Sequence, residues 1–258
     1  MSGTDKGVAL PLLIANWKMN GAQGMAQALL SEIKAMQVDG LDFVVMTPFP
    51  YLAMAQNILS GSRIAWGAQS VHDQCSGAFT GEVSASMLKD FKCQYVLVGH
   101  SERRALRGEQ DTQIAYQAMR VIEAGMMPVI CVGETGQARD LGRSEVMIQD
   151  QVKSVLEVFK TEGLGVIECV WAYEPVWAIG QGLAATPNQA SQGCQAIRQA
   201  LSESGLEFSS KCRMIYGGSV NEANIQSFVS APFIDGVLIG GASLDSRQLN
   251  KMVKMCMV

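Results

Sequence analysis

Short, nearly continuous apolar runs recur along the chain, and each turns polar or glycine-rich over its last one to three residues. They read LLIANWK (12–18), FVVMTPF (43–49), IAWGAQS (64–70), YVLVGHS (95–101), MPVICVGE (127–134), ECVWAYE (168–174), RMIYGGS (213–219) and GVLIGGAS (236–243). Continuous rather than alternating apolarity predicts parallel strands covered on both faces. Longer amphipathic stretches lie between them. DTQIAYQAMRVIEAG (111–125) sets Ile114, Ala118, Val121 and Ile122 on one helical face, with Gly125 as its stop. SEVMIQDQVKSVLEVF (144–159) offers Ser144 as an N-cap, and TPNQASQGCQAIRQAL (186–201) opens with a cap residue followed by proline. SVNEANIQSFVS and SLDSRQLNKMVKM are likewise read as starting at their serines, Ser219 and Ser243.

Eight strand–helix units without a composition break predict an α/β fold of the (β/α)8 barrel type, eight parallel strands inside eight helices. The whole chain, 1–258, is then one domain, with residues 1–9 as a flexible tail. A doubly wound open sheet is the rival, but it usually has fewer strands and a nucleotide fingerprint. The barrel locates a site, because such folds work at the C-terminal ends of their strands. Those ends carry Asn16 and Lys18, Gln69, His100 with Ser101 and Glu102, Glu134, Glu174, Ser219, and Gly240 with Gly241.

The bulk numbers narrow the classes. Among 258 residues 48% are hydrophobic and 17% charged, enough apolar material for a large core. A net charge of −4 with no basic block argues against nucleic acid as a partner. No apolar run approaches the roughly 20 residues of a membrane span. Lys6 followed by VALPLLIA resembles a signal peptide, but NWKMN follows it rather than a small-x-small cleavage site, so a tail and a buried strand are expected. The seven cysteines are odd in number, contain no CxxC and sit largely in apolar runs. They read as reduced core thiols of a cytoplasmic protein. Only His72 and His100 are present, with no Cys/His cluster for a metal.

Glu174 is a lone acid closing an apolar strand, where apolar surroundings favour a stronger base. Pro175 stiffens the chain after it, and Gly180 and Gly182 follow. GQGLAA fits the loosest dinucleotide pattern, yet it does not follow the strand directly and the next helix starts only at Thr186. His100 ends a strand. A helix starting at Ser101 would disfavour its cationic form by roughly 0.3–1 kcal/mol, and up to ~2 if partly buried, leaving a neutral hydrogen-bond donor. His-Ser-Glu also fits the H-x-E of zinc deaminases, but the P-C-x-x-C half is missing. Lys18 beside Asn16 attracts an anion, and YGGS (216–219) and IGGAS (239–243) end the two strands where barrels hold phosphate. One base, one neutral acid, one cation and a phosphate grip suit proton abstraction beside a carbonyl in a small phosphorylated sugar.

In order along the chain, ANWKMNG, GAFTGEVS, VLVGHSERR, CVGE, AYEPVWAIG, YGGSV and GGASL resemble the triosephosphate isomerase family, from Leu13 to about Leu244. The resemblance implies Glu174 as general base, His100 as neutral electrophile, Lys18 and Asn16 around the substrate oxygen, and Glu102 as the acid near that lysine. It implies phosphate binding at Gly180, Ser219, Gly240 and Gly241, and a lid from Pro175 through Val176, Trp177, Ala178, Ile179 and Gly180 to about Ala185. Dihydroxyacetone phosphate and glyceraldehyde 3-phosphate are the implied substrates, without cofactor or metal. A homodimer is implied too, in which VHDQCSGAFTGE (71–82) reaches the neighbouring subunit, Thr80 approaches its site and Glu82 pairs with Arg103. Ser70 stands where the family commonly has Asn, and Gln181 and Leu183 depart from its lid pattern. A sugar-phosphate epimerase on the same barrel, usually metal-dependent, and a binding protein that has lost catalysis remain alternatives.

Overall fold

The computed structural model describes residues 10–179 and 184–257. The expected tail at 1–9, and Gly180, Gln181 and Leu183, lie outside the described residues. Eight strands form one closed barrel in chain order: β1 (Leu12–Asn16), β2 (Asp42–Thr47), β3 (Ala65–Ala68), β4 (Tyr95–Val98), β5 (Met127–Val132), β6 (Val170–Tyr173), β7 (Arg213–Tyr216) and β8 (Gly236–Ile239). Every pairing is parallel, and Leu12 opposite Gly236 closes the ring. The helices are α1 (Gln23–Lys34), α2 (Leu52–Leu59), α3 (Ala85–Asp90), α4 (Ser101–Arg107), α5 (Asp111–Glu123), α6 (Gly136–Asp140), α7 (Ser144–Thr161), α8 (Pro187–Glu203), α9 (Ile225–Val229) and α10 (Ser246–Cys256). The eight β/α units are as expected. Two carry an additional short helix, α4 and α6, directly above β4 and β5.

The continuous apolarity of the strands is accounted for by two separate cores. Leu12, Ile14, Val44, Met46, Leu97, Val129, Val170, Ala172, Ile215 and Leu238 fill the barrel interior. The alternate positions, among them Leu13, Phe43, Val45, Trp171, Tyr173 and Tyr216, pack outward against the helices. A strand buried on both faces has no reason to alternate. No helix among the described residues is long and apolar enough to cross a membrane.

The strands are shorter than their apolar runs. Most runs continue beyond the strand into the mouth, so the polar residues at their ends, Asn16 within β1 excepted, lie just after the strands. Three helix starts also differ from expectation. Ser144 is the first helical residue of α7, after Arg143, and makes no cap. α9 begins at Ile225 rather than at Ser219, which stays at the barrel mouth. α10 is capped by Asp245, whose carboxylate accepts from the backbone N–H groups of Arg247 and Gln248, and not by Ser243. These N–H groups hold Asp245 below its usual range. Ser243 lies instead in the 3-10 turn Gly241–Leu244, where its hydroxyl donates to Asn16 O (3.4 Å). Thr186 caps α8 as expected, in a full capping box with Gln189.

Candidate active site

A cavity of about 290 Å³ opens at the C-terminal end of the barrel, lined by Asn16, Lys18, His100, Glu174 and the loops after β7 and β8. Glu174 directly follows β6, and its backbone N–H donates to Val132 O (2.8 Å), extending the ladder with β5 by one bond. The Glu174 residue is only 2% exposed. Its Oε2 accepts from the backbone N–H of Ser101 (2.8 Å), the first residue of α4. Its Oε1 lies 3.3 Å from His100 Nε2.

His100 is the N-cap of α4, and its Nδ1 accepts from the backbone N–H of Glu102 (3.3 Å). An accepting Nδ1 carries no proton, which assigns the ring proton to Nε2, where it faces Glu174 and the cavity. His100 thus sits at a helix start, as expected, with Nε2 toward Glu174. Gly99 precedes it with φ +66°, and a Cβ there would meet Ile114 Cδ1 at 2.7 Å. This left-handed turn swings the chain from β4 into α4. Arg104 pins the turn from behind, donating to Gly99 O (2.9 Å) and Cys131 O (3.0 Å) while pairing with Asp111 (2.5 Å).

Lys18 leaves β1 with φ +53°, a left-handed backbone for a residue with a Cβ. Asn16 Oδ1 holds that turn by accepting from the Lys18 backbone N–H (3.0 Å). The ammonium pairs with Glu102 Oε1 (2.5 Å) at the cavity rim. A Cβ on Gly240 would come within 3.3 Å of Lys18 Cε, so the small residue leaves room for the lysine stem beside the glycine-rich side of the cavity. On that side lie Gly217, Gly218, Ser219, Gly240 and Gly241. Cys131, on the barrel axis beneath, is no nucleophile: burial, and then the Glu174 carboxylate, push its thiol well up.

The sequence thus brings together Asn16, Lys18, His100, Glu102, Glu174, Ser219, Gly240 and Gly241 around one cavity. A family model for triosephosphate isomerase matches residues 11–256. The curated triosephosphate isomerase of Cupriavidus taiwanensis is 48% identical over 237 residues, 92% of this chain and 95% of the relative. That of Dechloromonas aromatica is 48% identical over 235 residues, 90% and 93% of the two chains. That of Bordetella pertussis is 47% identical over 238 residues, 92% and 94%.

The chain belongs to the triosephosphate isomerase family. It is an intramolecular aldose–ketose isomerase, and the fold and activity implied by the motifs stand.

Two parts of the site were not assigned from sequence. Glu134, one of the strand-end acids, is fully buried, and its Oε1 accepts from Trp177 Nε1 (2.8 Å) and Tyr173 Oη (3.1 Å), with Arg139 at 3.5 Å. Burial, and then the Glu134 charge, push the Tyr173 phenol up, so it remains a donor. This network fixes the 3-10 turn Val176–Ala178 that follows Glu174 and Pro175. Tyr216 takes the other flank: its hydroxyl accepts from the Ala185 backbone N–H (3.2 Å). Burial pushes that phenol up to about 12. A strand-end Glu and a Trp 43 residues away carry no sequence signal of pairing. Trp177→Phe removes the shortest donor to a buried carboxylate whose Oε2 already lacks a partner. We expect a loss of about 1–3 kcal/mol. Thermal unfolding should show a midpoint lower by roughly 2–12 °C; an unchanged midpoint would mean the bond contributes nothing.

Proposed function

We propose that this chain interconverts dihydroxyacetone phosphate and D-glyceraldehyde 3-phosphate, the step that links the two triose phosphates of glycolysis and gluconeogenesis, with Glu174 as the single proton carrier. The observation that carries this reading is the placement of the Glu174 carboxylate against His100 Nε2 at the cavity floor (3.3 Å). Both carboxylate oxygens have partners, Ser101 N–H and the imidazole. A substrate carbonyl that takes the imidazole N–H frees Oε1 to accept a proton from C1. The electron pair moves to the carbonyl oxygen, giving an enediolate stabilised by His100 Nε2–H and the Lys18 ammonium. The O1 hydroxyl proton passes to O2, and Glu174 returns the carbon proton to C2 as the C1–O1 carbonyl forms, which gives the aldose. Glu102 positions Lys18, and Asn16 holds the turn that presents it. Ser219, Gly240 and Gly241 take the phosphate; Gly180 and the middle of the lid lie outside the described residues, and their role rests on the resemblance alone.

A coupled assay that oxidises NADH as dihydroxyacetone phosphate forms from glyceraldehyde 3-phosphate tests the reading. Turnover unaffected by EDTA is expected. Turnover abolished by the chelator would favour a metal-dependent epimerase-like enzyme, and no turnover at all would favour a binding protein.

The same reading makes the protein a homodimer of single-barrel subunits working in the cytoplasm. A second hollow of about 310 Å³ adjoins the site and is lined by Met19, Phe49, Arg103 and Leu106. Met19 is 97% and Leu106 81% exposed, and the loop 71–82 presents Phe79 at 43%. Apolar side chains this exposed beside a catalytic mouth suit burial by a second copy. Arg103 pairs within the chain with Glu109 (2.7 Å). Its pairing with Glu82, and the approach of Thr80 to a neighbouring site, belong to that dimer. Sedimentation at micromolar concentration is expected to give twice the chain mass; a monomer would remove these three assignments.

A further inference from the structure

Two cysteines stand side by side at the end of the barrel opposite the catalytic mouth. Cys169 directly precedes β6 and Cys212 directly precedes β7. The two strands pair with Val170 opposite Arg213, so one step earlier the cysteines face each other. Strand alternation turns both toward the helix layer, Cys169 with Trp171 and Tyr173, and Cys212 with Met214 and Tyr216. Their Sγ atoms are 3.9 Å apart. Neighbouring strands lie about 4.7–4.9 Å apart, inside the roughly 4.4–6.8 Å Cα separation that disulfides span, so side-chain rotation is enough to join the sulfurs.

The surroundings hold these segments together whether or not the sulfurs are bonded. Lys211 pairs with Glu168 (3.2 Å), Ser209 Oγ donates to the same carboxylate (3.2 Å), and Ile167 bridges Phe208. The sulfurs are not equivalent. Cys169 is buried and Cys212 half-buried. The buried Trp171 indole N–H has no nitrogen or oxygen partner and lies against the Cys169 thiol. Cys212, half-buried beside the buried Cys169, is the sulfur a reagent can reach, which makes it the sulfur of entry. Among the described residues no other two cysteine thiols are within hydrogen-bond distance. Cys75 is exposed but alone, and Cys93, Cys131, Cys194 and Cys256 are buried.

We propose that Cys169 and Cys212 form a thiol–disulfide redox site whose co-reactant is a low-molecular-weight disulfide. The Cys212 thiolate attacks one sulfur of the reagent RSSR. The reagent's S–S bond breaks, RS⁻ leaves and takes up the proton Cys212 released, and Cys212 carries a mixed disulfide. Cys169 then gives up its proton and attacks the Cys212 sulfur, and the second RS⁻ leaves and is protonated. The protein loses two hydrogens and RSSR becomes two RSH. The bond ties β6, which carries Glu174 at its far end, to β7 at the base of the barrel.

The test is incubation of the folded full chain with oxidised glutathione, followed by acid quench, alkylation in denaturant and mass mapping without reductant. A peptide pair linked through Cys169 and Cys212 is expected, released by dithiothreitol, with Cys75→Ser as the background that removes the exposed thiol. Cys169→Ser should stop at one glutathionyl group on Cys212, and Cys212→Ser should give no linked product. Recovery of both cysteines alkylated in the unaltered chain overturns the proposal. So does glutathionylated Cys212 accumulating there without the linked pair. The decisive arm uses the unaltered chain, so a misfolded variant does not blunt it, and neither result depends on the catalytic reading.

Discussion

Glu174→Gln is expected to lower kcat by about 10²–10⁴-fold, the range associated with a positioned general base. The substitution keeps the shape of the side chain and removes its ability to accept a proton from carbon. Its carbonyl oxygen can still accept from the Ser101 N–H, as Glu174 does at 2.8 Å. The substitution removes a charge from a site 2% exposed but sets the amide NH2 against the His100 Nε2–H, so the thermal midpoint should change little. KM should change little, because Ser219, Gly240 and Gly241 are untouched. Glu174→Asp keeps the base but withdraws it by about one methylene, and a displacement of about 1 Å can cost on the order of 10²-fold. Steady-state kinetics on both variants, with circular dichroism as the folding control, checks the prediction. Near-normal turnover by the glutamine variant would remove Glu174 from the chemistry.

Gly133→Ala is expected to be the most damaging small substitution at the mouth. A Cβ on Gly133 would lie 1.9 Å from Glu174 O and 2.5 Å from its carbonyl carbon. Both are main-chain atoms, so no change of rotamer relieves the overlap. β5 and β6 would have to part where Glu174 N–H meets Val132 O at 2.8 Å. The Gln151 side chain, which accepts from Gly133 N–H (2.8 Å) and donates to Gly133 O (3.1 Å), resists that shift. Overpacking costs typically 1–3 kcal/mol, and a backbone clash falls at the upper end. For a chain of this size that lowers the melting temperature by about 6–12 °C. Because the strain is applied to the backbone of Glu174, kcat should fall with stability. A variant with unchanged melting temperature and turnover would show that the two strand ends are not in the contact described.

These two residues also mark what was legible in the sequence. Glu174 and His100 could be found because a barrel strand buried on both faces is apolar throughout, so a polar residue at its end stands out. The strand boundaries could not. Apolarity continues through Gly99, where a left-handed turn requires the glycine, and Gly133, where close packing against Glu174 does. Helix starts were misread where two capping residues lay within a few positions, as with Ser243 and Asp245, because propensity does not say which one the chain path brings to the helix end. The anchors of the segment after Glu174 were hidden for another reason. Glu134 meets Trp177, and Tyr216 meets Ala185, through tertiary contacts spanning 43 and 31 residues. No local pattern encodes either. The left-handed backbone of Lys18 is similarly imposed from outside its own residue type, by the Asn16 side chain.

The proposed chemistry takes a proton from carbon onto Glu174 and returns it to the neighbouring carbon. Isomerisation of dihydroxyacetone phosphate in D₂O, with the aldehyde product trapped enzymatically as it forms, tests this most directly. The proton held by an oxygen of Glu174 exchanges with solvent, so deuterium should appear at C2 of the trapped product and at C1 of recovered substrate. Hydrogen carried from C1 to C2 with no deuterium at either carbon would contradict the account and require a direct hydride shift.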